Sequence, residues 1–510
     1  MSKNEKNKEE KEDKVSLGIN IGSLNTVYSI FGKKEGRFQT NILLSDVSKR
    51  TIPSQICYSD THRLYGDTAS SLMKKYNNTS YSNLSRLIGF DSDSLIFKNE
   101  LKDYFNFGTF NKNTKLFKIY NNEEISHSTI IADFLSLINK FFFKKEKDEE
   151  NVNYDFTTLS VPDYYTDYHK QELKLICESL GMKDINIINE STAITMYYGY
   201  TKYRDMFVEN KEVKKTNENN IIFIDIGHSK TTFIYSNFKY NEFKVKKVKN
   251  LPFIGGRNFD LSIMNECLKK YSDKNINAKS KIRLLEAIEI ARKKLTVNNE
   301  INIIVEAFFN EEDLDYFLTR DQFEKIIKND LETIIQNFSD FSNEIYQEFF
   351  PQNLTIEMAG NIMRTPIIQK EIMSIWNEQI PISKGILIDE CTSVGAALYG
   401  YYSHFGKLNM DSFNKIYEFN NYQVYCNLNN LLDINITQSI RRIGCEDIQK
   451  DEEICFNVNS ELTLVYYYNQ DETKNFSNHN ILYKYVLNIN EFKRIDAQIE
   501  MNKFLFQKVF

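Results

Sequence analysis

The sequence predicts an α/β chain of two similar lobes followed by a small antiparallel β unit. Three observations carry this reading. A strand–turn–strand segment occurs twice, helical segments alternate with short apolar runs around it, and the region beyond about residue 405 changes to short alternating runs. At 510 residues the chain exceeds one ordinary domain. Its 41% hydrophobic and 26% charged residues fit a globular protein with a sizeable core.

The first copy of the repeat is LGINIGSLNTVYSI (17–30) and the second is FIDIGHSKTTFIYS (223–236). Asn20, Ile21, Gly22 and Thr26 recur as Asp225, Ile226, Gly227 and Thr231 at a constant offset of 205. Each copy reads as an apolar strand ending in an amide or carboxylate, a tight glycine turn and a return strand. Two such hairpins so far apart predict two facing lobes. In chain order, STIIADFLSLINKFFFKKEKDEE (128–150) reads as a helix capped by Ser128, and TTLSVPDYY (157–165) as a strand. YHKQELKLICESLGM (168–182) reads as a helix closing near Gly181, and INIINE (185–190) as a strand. Arg204 to Asn220 is polar and reads as a loop. LLEAIEIARKKLT (284–296) reads as a helix whose basic end suits the macrodipole. In the tail, NYQVYCNL, EEICFNV and ELTLVYYY read as strands, and EFKRIDAQIEMNKFLFQKVF (491–510) as a short helix or a final strand. Sixteen of 18 glycines precede residue 401 and all six prolines precede 382, so turn-dependent architecture belongs to the part before the tail.

Composition excludes several classes. A net charge of −6 announces no nucleic-acid surface. No run approaches the roughly 18 apolar residues that span a bilayer, so no membrane role is expected. MSKNEKNKEEKEDK has no apolar core, so it is read as a disordered charged tail over residues 1–14 rather than a secretion signal. Seven cysteines lie scattered without CxxC, which fits free thiols in a reducing, cytoplasmic compartment. Six histidines show no HExxH spacing, so no directly protein-ligated metal is expected.

A turn whose backbone N–H groups converge can hold phosphate. Gly22-Ser23-Leu24-Asn25 and Gly227-His228-Ser229-Lys230 are two such candidates. One hairpin alone would be ordinary; a pair flanking a cleft can clasp a triphosphate.

From here the chain resembles the nucleotide-binding domain of the DnaK, or heat shock protein 70, superfamily. GINIGSLNTVYSI resembles its first phosphate loop, INIINESTAITMYYGY (185–200) its connecting segment and FIDIGHSKTTF its second phosphate loop. LPFIGGRNFDLSI (251–263) resembles its LGGEDFD segment, and RLLEAIEIARKKLT (283–296) its adenosine-contacting helix. IEMAGNIMRTP (356–366) resembles its VGGSTRIP segment, and IDECTSVGAALYG (388–400) the helix that follows. All seven occur in the family order. The resemblance implies an actin-like two-lobed nucleotide-binding domain of duplicated ribonuclease-H-like lobes at 15–403 and a linker at 404–412. It further implies a truncated β-sandwich-like domain at 413–510, without a complete helical lid. DIGHS, GGRNFDL, RTIPSQI (50–56) with LYGD, and FNKIYEFNNYQVYC (413–426) resemble the heat shock protein 110 branch. HFGKLNMDS stands where active family members carry a hydrophobic interdomain linker.

Carried over position by position, the resemblance implies that Gly22, Ser23, Leu24 and Asn25, with Gly227, His228, Ser229 and Lys230, contact phosphates. Gly255, Gly256 and Gly360 belong to the same nucleotide-binding set. Glu289, Arg292, Lys293 and Thr296 line the adenosine, and Asn361 to Arg364 close over base and ribose with Asp389 nearby. Glu190 and Asp225 stand where carboxylates organise Mg²⁺ and the attacking water. Outside that order, Glu289, Arg292 and Lys293 read as solvated helix surface, Glu190 as a cap and Asp225 as a turn residue. The departures matter as much. Asn20 replaces an aspartate of the metal shell, Thr232 replaces another, and Asn361 and Ile362 replace a glycine and a serine near the base. Ser70 in LYGDTASSL is read as replacing the family lysine that supplies positive charge to the transferring phosphoryl group, with Lys74 or Lys75 as substitutes. Loss of one such stabiliser reduces rate on the order of 10²–10³. The expectation is an ATP- or ADP-binding protein that holds Mg²⁺ weakly and hydrolyses ATP weakly or not at all.

The implied role is a cochaperone that acts as nucleotide exchange factor for a conventional heat shock protein 70, with unfolded or nascent polypeptides as further partners. The alternative is a catalytically silent ribosome-associated subunit working with a J-domain partner. A sugar kinase would need a substrate base and an intact phosphate site.

Overall fold

The computed structural model describes residues 14–404 except 35–36, 93–107, 144–152, 204–217, 240–241, 377–379 and 381, and beyond them only the backbones of strands between 415 and 509. The chain divides into two compact units. One comprises Met1–Ile88, Tyr104–Tyr164 and Lys174–Phe419; the other comprises Gly89–Asp103, Tyr165–Leu173 and Asn420–Phe510.

The first lobe opens with an antiparallel meander of β1 (Val15–Ile21), β2 (Asn25–Lys34) and β3 (Arg37–Ile42). Helices α1 (Gly66–Leu72) and α2 (His127–Phe143) follow. Then β4 (Phe156–Val161) pairs parallel to β1, α3 (Asp167–Ser179) crosses over, and β5 (Ile185–Asn189) pairs parallel to β4. The strand order is β5-β4-β1-β2-β3. Helix α4 (Glu190–Lys202) leaves β5 directly.

The second lobe repeats the plan. A meander of β6 (Asn219–Ile226), β7 (Thr231–Lys239) and β8 (Glu242–Leu251) leads to α5 (Gly256–Leu268) and α6 (Ala278–Leu295). The hairpin of β9 (Glu300–Phe309) and β10 (Glu312–Thr319) and the long helix α7 (Lys328–Phe349) come next. Then β11 (Leu354–Met358) pairs parallel to β6, β12 (Ile382–Ser383) pairs parallel to β11, and α8 (Cys391–His404) closes the lobe. The order β12-β11-β6-β7-β8 matches the first lobe strand for strand, so the duplication seen in two hairpins extends to whole sheets. Strand Lys415–Tyr417 adds parallel to β8.

Local chemistry sets the element ends. Helix α2 starts two residues earlier than read: Ser126, not Ser128, accepts from the Thr129 amide at 3.2 Å and caps it. Strand β4 stops at Val161 because Pro162 has no N–H for the ladder. After α3, Gly181 takes φ +72°, its N–H reaches the Glu178 carbonyl at 3.0 Å, and the Met182 N–H reaches that of Cys177 at 3.1 Å. That is a Schellman stop, which needs a left-handed residue and explains the glycine. Helix α6 begins at Asn277, whose side chain accepts from the Ser280 amide at 2.8 Å, and ends in Arg292, Lys293 and Lys294.

Alternate residues of β6 serve two cores, as period-two side chains must. Ile222 and Ile224 face Phe259, Leu284, Ile288 and Phe338 of the second lobe. Ile221 and Phe223 face Ile194 and Tyr198 of α4, Val394, Leu398 and Tyr401 of α8, and Phe31 and Phe156 of the first-lobe sheet. Helix α8 therefore joins the two sheets. It passes so close that a Cβ on Gly395 would lie 1.9 Å from the Ala193 carbonyl oxygen, and one on Gly18 would lie 2.1 Å from that of Ser393.

In the second unit, Leu432–Asn435, Val424–Leu428, Glu461–Tyr468 and Ile481–Asn488 form a four-stranded antiparallel sheet. Glu452–Phe456, Ile495–Met501 and Gln507–Val509 form a three-stranded one. The three tail runs read as strands are strands, and of the two readings of 491–510 the strand holds at Ile495–Met501. The charged tail up to residue 13, the linker at 405–412 and the side-chain packing expected of a sandwich lie outside the described residues, as do most of the loop read at 204–220 and residues 144–150 of the helix read to 150.

Candidate nucleotide site

The two glycine turns have the same geometry. Gly22 N–H donates to the Asn25 carbonyl at 3.0 Å, and Gly227 N–H to that of Lys230 at 2.9 Å. They face each other: the hydroxyls of Ser23 and Ser229 are in direct contact. The N-terminal amides of α5 brace the second turn, Gly256 N–H reaching the Gly227 carbonyl at 2.9 Å and Arg257 N–H that of His228 at 2.8 Å. Gly255 makes this possible, since a Cβ there would lie 2.7 Å from the His228 oxygen.

Below the turns the expected carboxylates come together, around a lysine. Lys230 Nζ lies 2.6 Å from Asp225 Oδ2, 2.8 Å from Glu190 Oε2 and 3.2 Å from Thr232 Oγ1. Thr232 is itself fixed by donating to Asn250 at 3.1 Å. Asn20 Nδ2 donates to the other oxygen of Glu190 at 2.8 Å and to Ser160 at 3.1 Å. Burial alone would lower the Lys230 pKa; the combined pull of Asp225 and Glu190 outweighs it and raises it, so the ammonium stays charged. Glu190 begins α4 but does not cap it; Asp163 does, accepting from the Ser191 amide at 3.1 Å and from its hydroxyl. Burial, with the neighbouring Glu190, pushes Asp163 up to about 7 against the opposing effects of Ser191 and Lys230.

The arrangement bears on a divalent ion. Mg²⁺ wants free oxygen ligands in near-octahedral array and usually reaches the protein through one or two carboxylates. Here one oxygen of Glu190 accepts from the Asn20 amide, the other lies 2.8 Å from the Lys230 ammonium, and one oxygen of Asp225 accepts from Lys230. Among the described residues no cluster of three or more His, Cys, Asp or Glu side chains could hold a metal.

The adenosine-side residues form a second cluster. Arg292 grips Asp260 through two contacts of 2.6 and 3.1 Å, both side chains nearly fully buried. Lys293 pairs with Glu289 at 2.5 Å one turn along the exposed face, and Thr296 caps the helix end on the Lys293 carbonyl at 2.7 Å. Burial pushes the partly covered His228 down to about 3, against the pull of Glu289 and aided by Arg257, Arg292 and Lys293, so its ring is neutral. Ile362 lies against Gly256, where a Cβ would come 2.4 Å from its Cδ1. Gly360 is required by the backbone of Ile226, 2.3 Å from its would-be Cβ. Asn361 donates to Asp389 and Arg364 lies 4.0 Å from it; all three side chains are exposed and bond to one another rather than to the turns.

Sequence reasoning placed the neutral replacement of the clamp at Ser70. The structure puts Ser70 on α1, which packs on strands of the first lobe. Ser85 reaches the first turn, its hydroxyl 3.1 Å from that of Ser23. Next to it, buried Arg86 crosses to the second lobe, donating to the Ser229 carbonyl at 2.7 Å and to that of Pro252, with its guanidinium over Tyr164. Lys74 ion-pairs with Glu286 of α6 at 2.5 Å, and Lys75 lies over the Tyr76 ring, so neither supplies a clamp to the turns. Asp163, Ser85 and Arg86 are the residues missed. The sequence does signal Asp163, a charge inside the apolar run SVPDYY; in NLSRLIGF the glycine, Gly89, lies three residues past Arg86 and marks neither Ser85 nor Arg86.

The family model described as Hsp70 protein matches residues 16–406, which includes both turns, α4, α6 and α8. The chain belongs to the Hsp70 family. The family domain implies nucleotide binding. Heat shock protein 88 of Dictyostelium discoideum is 26% identical over 392 residues, covering 75% of this chain and 48% of the relative. Heat shock 70 kDa protein 16 of Arabidopsis thaliana is 25% identical over 396 residues (75% and 49%), and heat shock protein hsp88 of Neurospora crassa is 25% identical over 395 (75% and 53%). The resemblance to the heat shock protein 110 branch within the Hsp70 superfamily stands on such relatives. The chain spans about half the length of the curated relatives it matches. No helix among the described residues is long and apolar enough to cross a membrane.

Proposed function

We propose that this chain is an atypical Hsp70-family cochaperone of the cytoplasm that binds ATP or ADP, hydrolyses ATP weakly or not at all, and acts as nucleotide exchange factor for a conventional heat shock protein 70. One observation carries the reading: Lys230 sits between Glu190 and Asp225. Phosphoryl transfer needs metal, positive clamp and positioned water together. Here the carboxylates are occupied by a side chain of the protein, and where the turns meet stand the neutral hydroxyls of Ser23, Ser85 and Ser229. Such a site suits nucleotide as a structural ligand, which stabilises a folded platform by mass action. A domain that works by embracing a partner needs that platform and not turnover. The β-rich second unit is the proposed contact for unfolded or nascent polypeptides.

The test is release of fluorescent ADP from a conventional heat shock protein 70 of the same organism, with and without this chain, beside the chain's own ATP hydrolysis. Several-fold faster release with negligible hydrolysis is expected. Unchanged release sinks the exchange role and brings forward the ribosome-associated reading. Turnover at the rate of an ordinary Hsp70 sinks the weak-hydrolysis reading.

A further inference from the structure

We propose that Lys230 stands in for the divalent cation, so that this site takes a nucleoside di- or triphosphate without Mg²⁺. The inference rests on the nucleotide-binding reading above and specifies its chemistry.

Four placements support it. Nζ donates to Asp225 of β6 at 2.6 Å and to Thr232 of β7 at 3.2 Å, and lies 2.8 Å from Glu190 Oε2 of α4 as an ion pair, so three elements of the protein surround the ammonium. The cation is built in rather than borrowed from the surface, its side chain being only 11% exposed. Asn20 is matched to it. An aspartate in its place would set a second carboxylate 2.8 Å from Glu190 with no divalent ion to separate them, whereas the amide donates a hydrogen bond to that oxygen. Asp163 adds no acceptor for a metal, because both of its oxygens are used on Ser191. Charge arithmetic points the same way. Lys230 offsets one of the two carboxylates, and a divalent ion entering between them would have to displace an ammonium already held by three oxygens. Lys230 holds the position in the second turn that Asn25 holds in the first, at the same offset of 205. The substitution of a lysine at one turn of a duplicated pair thus supplies the second lobe with a fixed positive charge that the first turn lacks.

The experiment is titration of fluorescent ADP into the full chain in excess MgCl₂ and in excess EDTA, followed by the same pair of titrations on Lys230→Asn, which gives the second turn the residue of the first. For the natural chain, dissociation constants within about twofold of each other are expected. For Lys230→Asn, binding about tenfold or more tighter in MgCl₂ than in EDTA is expected, since a metal then has ligands to engage. EDTA weakening the natural chain's binding by about tenfold overturns the proposal while leaving nucleotide binding intact. Absence of binding under both conditions overturns the nucleotide reading itself and the proposal with it. The natural-chain comparison needs no variant, so it decides the matter even where Lys230→Asn does not fold.

Discussion

Replacing Lys230 by methionine removes one charge and little volume, and the structure sets how much that should matter. The side chains of Lys230, Glu190 and Asp225 are 11%, 7% and 13% exposed, so solvent screens them little. Breaking a buried ion pair by deleting one partner leaves the other charge uncompensated and costs about 3–5 kcal/mol. The lower end is expected, because Asn20 still donates to Glu190. Urea unfolding should show this as a lower midpoint at an unchanged slope. The double variant Lys230→Met/Asp225→Asn should lose less than the sum of its singles. A loss below about 1 kcal/mol, or a double variant that loses the full sum of its singles, refutes the reasoning.

Other predictions concern the frame and the cluster edges. Gly395→Val forces a side chain into the Ala193 carbonyl and should lower stability by about 1–3 kcal/mol or more in thermal unfolding; an unchanged melting temperature contradicts the close helix approach. Asp260→Ala leaves buried Arg292 without its partner and should cost about 3–5 kcal/mol, with Asp260→Asn between the two; equal stability of all three would mean the pair is solvated. Asp163, raised from 3.8 to about 7, contributes stability below about pH 4 that is lost as pH rises through 7. Asp163→Asn should flatten that part of the stability–pH profile, and an unaltered profile speaks against the burial argument. His228, lowered from 6.5 to about 3, contributes stability above pH 6.5 that is lost as pH falls toward 3. Its ring signals in NMR should therefore stay constant between about pH 5 and 8, and a midpoint near 6.5 would show an exposed ring.

The lobed plan was legible because duplication writes itself into short-range pattern. Asn20-Ile21-Gly22 and Asp225-Ile226-Gly227 each encode a strand end and a turn, and local periodicity found the α3 stop at Gly181. The sheet order was not legible, since parallel pairing of β4 with β1 joins residues about 140 apart through tertiary contact alone. The cluster was half legible. Glu190 and Asp225 were singled out, but a lysine in a phosphate turn reads as a phosphate contact. Only the folding of α4 against β6 shows its ammonium turned down between two carboxylates. The approach of Ser85 to Ser23 was not legible, because it joins residues 62 apart through tertiary contact alone.

The contacts that bridge the cleft have a kinetic consequence. Ser23 meets Ser229, Arg86 holds the carbonyls of Ser229 and Pro252, and Lys74 pairs with Glu286, all reaching from the first ninety residues onto the second lobe. They bond the protein to itself between the two turns, so on the proposed nucleotide-binding reading a nucleotide entering there is expected to wait for these contacts to release. The measured affinity is then the intrinsic one scaled by the fraction of molecules standing open. Association should level off at high nucleotide concentration, at the rate of opening. Salt, by screening the half-exposed Lys74–Glu286 pair, raises that ceiling. On that reading, exchange of the chain's own nucleotide is expected to follow the contacts between the turns rather than the carboxylate–lysine cluster below them.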